Sequence, residues 1–240
     1  MNGKTRWVLG GMLMTCIIGS VFAQKKERIT ISPMSAVRVD ADLHEWKSMT
    51  DVSDEGLWYY QLGQDQEQVY VAIRVVDPML QRAAARNGIL FGILAEKKNK
   101  SDLQLLFPYP DREVKRAMQQ EDIASSKIYK QQLIDRSRGY LLSGFPTVPD
   151  GLLSLQNGYG LKAAVKVEDD ALIYEAVVPK GLLMPSAGEI TIKLGINDGF
   201  SVLQQKQTRA STTYGAYRTS RSTPEKSKTT SVVILETTLN

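Results

Sequence analysis

Apolar and polar residues alternate in short runs through most of this chain, the period of strands with one covered face. Val69–Val76, rich in β-branched and aromatic residues and closed by Asp77-Pro78, predicts a central strand. Gly88–Leu94 and Leu103–Phe107 predict two more, and Ser35–Asp40 predicts a half-buried strand of small apolar and polar residues. Leu161–Val167 and Ala171–Pro179, joined by Glu168-Asp169-Asp170, predict a hairpin. Ile190–Asn197 and Ser231–Leu235 supply the last strands.

The period changes between Asp111 and Arg138, where Lys, Glu, Gln, Met and Ala dominate without Gly or Pro. Val114, Met118, Ile123, Tyr129 and Leu133 fall at loosely helical spacing and Asp111 suits a cap. One or two inserted helices follow from this; a solvated charged loop is the alternative, since the apolar stripe is thin. The Ser/Thr/Gln/Arg-rich stretch 204–230 reads as a long mobile loop. Spaced strands with one helical interruption predict a mainly β fold, an antiparallel β-sandwich.

The N-terminus alters the composition that matters. Lys4 and Arg6 precede an apolar run from Trp7 to Ile18, and Gly19–Ala23 offers small residues with Val21 and Ala23 at the −3 and −1 positions. That is the layout of a secretory signal peptide over residues 1–23, and its apolar core is short for a membrane span. Cys16 with Leu13 three residues ahead raises lipidation, against which stand Thr15 and the apolar sequence continuing to Phe22. Removing residues 1–23 leaves 28 basic against 26 acidic residues and no Cys, which is no nucleic-acid footprint; the mature chain, residues 24–240, is expected to be a single exported domain. No transmembrane segment is expected after cleavage, and the expected destination is the periplasm, the cell surface or the medium. One His and one Cys in 240 residues also exclude Cys₂His₂, Cys₄ and His₃ zinc sites and any disulfide within the chain.

Val39-Asp40-Ala41-Asp42-Leu43-His44-Glu45-Trp46 resembles the opening motif of family 9 carbohydrate-binding-module-like (CBM9-like) domains, part of a wider DOMON-like superfamily of β-sandwiches. Val69–Asp77, the Leu161–Pro179 hairpin and Leu194-Gly195-Ile196-Asn197 resemble later strands of the same family, so the likeness spans roughly residues 35–236 around the helical insertion. Ala41 stands where the family usually has glycine and His44 where it usually has an acid. The resemblance implies the sandwich and a non-catalytic glycan-binding role, in which aromatic faces stack on a sugar. Trp46 and Trp58 are the tryptophans left after cleavage, and Trp46, within the motif, reads as a core residue.

Leu57-Trp58-Tyr59-Tyr60 is the most binding-like stretch, because in a strand Trp58 and Tyr60 share one face as a stacking platform. The same aromatics would equally serve a core. Tyr214 and Arg218, with Arg209, Tyr217 and Arg221, would add rings and guanidinium forks from the 204–230 stretch, or belong to a disordered excursion. Asp40, Asp42, Glu45, Asp51 and Asp54 would either hold a structural Ca²⁺ or form a solvated acidic turn; no calcium-loop glycine accompanies them. No other cofactor is expected: His44 has no Cys-x-x-Cys-His haem motif beside it and no Gly-x-Ser-x-Gly nucleophile motif. The expectation is therefore an exported, non-enzymatic binding protein with ligand residues Trp58, Tyr60, Tyr214 and Arg218. Its partner is a glycan, or an envelope protein if the domain is an interaction component without a sugar site.

Overall fold

The computed structural model of the chain describes residues 26–35, 37–52, 55–95, 101–117, 126–183, 188–197 and 231–239. Two sheets face one another. The larger runs in the order β1 (Lys26–Arg28), β13 (Val232–Leu239), β12 (Gly188–Ile196), β6 (Ile89–Leu94), β7 (Leu103–Phe107), β8 (Gly139–Ser143) and β9 (Gly151–Ser154). The smaller runs β10 (Lys162–Val167), β11 (Leu172–Pro179), β5 (Gln68–Val75), β4 (Trp58–Gln64) and β2 (Ser32–Pro33), with β3 (Thr50–Asp51) also beside β4. The molecule is thus a β-sandwich. Its interior pairs are antiparallel; β1 joins β13 and β2 joins β4 in parallel at the margins.

The core lies between the sheets because every second residue of each strand points there. Val69, Val71, Ile73 and Val75 of β5 meet Phe91, Leu105, Ile192 and Leu194 in one buried cluster. The strand Val69–Val76 reads as nearly continuous apolar sequence because its other face is covered too. Tyr70 and Ala72 pack with Val177 and Trp46 in a second cluster, against Val37, Val39, Leu43 and Met49. Ser35–Asp40 is therefore not the strand its alternation predicts. Its described residues form an extended cover over the outer face of the smaller sheet, where one apolar side per two residues is also what burial demands.

Residues 111–138 do contain helices, α2 (Arg112–Ala117) and α3 (Lys127–Asp135), with 118–125 outside the described residues. A further helix, α1 (Pro78–Asn87), follows β5 directly, and a single turn, α4 (Lys180–Leu183), follows β11. Asp77-Pro78 ends the strand and also starts α1: the Asp77 carboxylate accepts from Leu80 N at 2.8 Å and proline takes the first turn. Leu80, Ala84, Tyr129 and Leu133 carry α1 and α3 onto the main core. Lys130, buried on α3, donates through Nζ to Oε1 of Gln81, whose Nε2 donates to Val76 O and Asp170 O at 3.0 and 3.2 Å. Burial holds the Lys130 ammonium below the usual lysine range.

Strands β8 and β9 approach so closely that a Cβ on Gly139 would lie 2.0 Å from Leu153 O. Gly139→Ala is expected to push β9 away from β8 at a cost of about 1–3 kcal/mol. Thermal unfolding reads that cost, and faster amide exchange confined to Gly151–Ser154 locates it.

Candidate functional site

Strand β4 presents Trp58, Tyr60 and Leu62 on one face, as the period of two requires, but that face is the inner one. Trp58 has no exposed surface and Tyr60 only 2%. Their rings sit 6.4 Å apart, tilted by 47°, inside the principal core. Burial pushes the Tyr60 phenol up to about 12, the behaviour of a hydroxyl shielded from water. The expected stacking platform is therefore corrected: these rings fill the space between two sheets, and no ligand reaches them without opening the sandwich. The pattern could not reveal this, since Leu57 and Tyr59 supply an apolar character to the opposite face as well. Tyr214 and Arg218 lie outside the described residues.

The opening motif is built around a carboxylate that sequence reading passed over. Glu175 on β11 is 1% exposed on the outer face of the smaller sheet. It accepts from Trp46 Nε1 at 2.6 Å, Ala41 N at 2.6 Å and Asp40 N at 3.0 Å. Desolvation outweighs these three donors and holds its carboxyl above the usual range. A signal was present: Glu175 interrupts Ile173 and Val177 on one face, and a charge between two β-branched residues marks a covered position. Trp46 is buried, as a motif tryptophan in the core should be. Ala41 adopts φ +60°. Ala41→Gly is expected to raise stability by up to about 1 kcal/mol, read as an upward Tm shift, because a Cβ costs that order in the left-handed region.

The acidic residues of this turn are mostly committed to their own backbone. Asp40 Oδ1 accepts from Asp42 N, Asp42 Oδ1 from His44 N, Glu45 from Arg38 N, and Asp51 Oδ2 from Gly56 N. Arg38 Nε lies 3.1 Å from Asp40, and His44 Nδ1 lies 3.3 Å from Asp42. Among the described residues no group of three or more His, Cys, Asp or Glu is arranged to hold a metal ion. A shallow hollow of about 430 Å³ between α2 and α3, lined by Glu113, Val114, Ala117, Gln132 and Arg136, gathers neither rings nor convergent donors.

A surface that does display apolar groups lies at the far end of the larger sheet. Leu152 on β9 is half exposed, and Leu155 and Tyr159 in the following turn are 43% and 38% exposed. Asn157 fixes that turn: Nδ2 donates to Leu161 O at 3.0 Å, and Oδ1 accepts from Tyr159 N at 3.1 Å. Gly160 completes it at φ +77°, a conformation suited to glycine. From Gly151 to Leu161 the chain carries no charged residue, in a protein where charges make up 23% of the sequence. A neutral, sequence-fixed corner with two leucines and a tyrosine has the composition of an interface centre, where charge is depleted and aromatics are enriched. Met79 and Ile128 are more exposed, but sit among the basic and acidic residues of α1 and α3.

Fold and surface together define a two-sheet β-sandwich that presents a neutral apolar corner beside a sheet edge. Solved structures similar to this chain include a family 9 carbohydrate-binding module from Caldicellulosiruptor kristjanssonii in complex with glucose, 13% identical over 70% of this chain and 78% of that one, TM-score 0.36. The same description applies to a complex with cellotriose, 12% identical over 70% and 76% of the two chains, TM-score 0.37. This is the family that the opening motif resembles. No protein-family profile matches the chain, and no curated protein does.

Proposed function

We propose that the mature chain, residues 24–240, is an exported, non-catalytic binding protein of the cell envelope whose recognition surface is the corner of Leu152, Leu155 and Tyr159. The observation that carries this reading is the coincidence of three exposed large apolar side chains with an eleven-residue stretch free of charge. A protein partner suits it better than a sugar, because the aromatic pair that would clasp a pyranose is buried in the core. Glu175, the carboxylate most deeply placed among the described residues, serves the opening turn rather than a reaction. Export rests on residues 1–23 and is checked by intact mass: protein recovered from the producing cell's envelope begins at Gln24, and retention of residues 1–23 contradicts export.

A photo-reactive residue at Leu155 in the native envelope is expected to yield one defined protein adduct, absent when Leu152→Lys is added. An adduct pattern unchanged by Leu152→Lys overturns the assignment. A second reading keeps the carbohydrate. The ring of Tyr159, exposed beside the Asn157 turn, would offer one stacking face to a neutral glycan. A glycan array settles it: binding lost in a folded Tyr159→Ala variant establishes the sugar, and binding unaffected by that change removes it.

A further inference from the structure

The described sheet edges are guarded against pairing in different ways, and one of them is not guarded. At one end of the larger sheet β1 is Lys26-Glu27-Arg28, charged and exposed throughout. On the smaller sheet β2 carries Pro33, while β10 carries Lys162 and Lys166 and has two outward amides occupied by side chains. Ala163 N donates to the Tyr140 hydroxyl at 3.2 Å, and Val167 N donates to Gln131 Oε1 at 2.9 Å. These are the usual devices that keep an edge from acquiring another strand. Strand β9 has neither charge nor proline: its four residues are Gly-Leu-Leu-Ser, with Leu152 half exposed, and the side-chain bond to its backbone is at its end, where Ser154 O accepts from Asn157 Nδ2 at 3.3 Å.

The register of the sheet says what fits there. Leu90 lies opposite Leu106, Leu106 opposite Leu141, and Leu141 opposite Leu152, so one row of leucines crosses the outer face and ends at the open edge. We propose that the row continues into a second copy of this chain, with β9 paired antiparallel to β9 about a two-fold axis. Such an axis, normal to the sheet, keeps outer residues on the outer side, so the pleat allows only same-face partners to oppose one another. Centred on Leu152, it sets Leu152 against Leu152 of the second copy and extends the leucine row without interruption. An edge that opposes itself must tolerate its own charge, and residues 151–161 bring none. Leu155 and Tyr159, flanking the strand, enlarge a contact that four residues alone would leave below the roughly 1,000 Å² of a stable interface. This inference rests on the proposed recognition corner and names its partner.

Equilibrium sedimentation of the mature chain at concentrations up to a few hundred micromolar is expected to show the mass doubling. Leu152→Lys is expected to weaken association at least tenfold with an unchanged Tm, while Lys26→Glu on the opposite edge leaves it intact. The mature chain has no cysteine, so Leu152→Cys should form a disulfide dimer on mild oxidation, and Glu27→Cys should not. A monomer throughout the range, or a dimer indifferent to Leu152→Lys, overturns the pairing. A monomer whose Leu155 probe still gives a Leu152-dependent adduct with a different protein overturns the second copy but keeps the corner as a recognition surface. A monomer with no such adduct removes both.

Discussion

Replacing Trp58 by alanine is expected to destabilise the chain by about 3–5 kcal/mol, the cost of emptying a buried indole from a core that relaxes only in part. Trp58 has no exposed surface and its ring meets Tyr60 at 6.4 Å in the principal cluster, so its surroundings are fixed by two sheets at once. Denaturant unfolding reads the loss. Any ligand signal that falls in this variant should fall in proportion to the unfolded fraction. Trp58→Phe, which keeps most of the volume, should restore folding and binding together. A Trp58→Ala protein of normal stability would contradict the packing described here.

The second large effect is expected at Glu175. Glu175→Ala withdraws the acceptor of the Trp46 indole and of two backbone amides in one step. Each donor left buried without a partner costs about 1–3 kcal/mol, so a total of about 3 kcal/mol or more is expected. The damage has a signature beyond stability. Residues 37–49 should lift from the outer face of the smaller sheet, exposing Tyr70, Ala72 and Val177. Faster amide exchange over 37–49, with β12 and β13 still protected, marks that local opening. Glu175→Gln, which keeps one oxygen acceptor, should recover part of both.

Much of the fold is legible in the sequence because burial on two faces leaves a plain mark. Val69–Val76 is covered by the other sheet and by the opening segment, and it reads as a strand of apolar residues broken only by Arg74. The hairpin of Leu161–Pro179 shows its turn in three consecutive acids, and β7 is found with both ends correct. Helix α1 escapes because Asp77-Pro78 terminates a strand and caps a helix with the same two residues. Strand β9 escapes because four residues are too few to establish a period.

The site is less legible, and for a physical reason. Alternation states that Trp58 and Tyr60 share a face but not which layer covers it. The covering layer here comes from residues distant in sequence, Phe91 on β6 and Ile192 on β12 among them. Glu175 shows the same limit from the other side: its carboxylate is explained only by donors 129 to 135 residues away. The corner at Leu152, Leu155 and Tyr159 could have been found from the absence of charge across residues 151–161, a signal of composition rather than of period.

The claim at the centre of this account is that recognition occurs at that corner. It is tested most directly by placing a photo-reactive residue at 155 or 159, and at the more exposed positions 79 and 128, and comparing adducts in the native envelope. Defined adducts from 155 and 159, with none from 79 and 128, are the expected result. Equal labelling at all four positions, or none at 155 and 159, would contradict it.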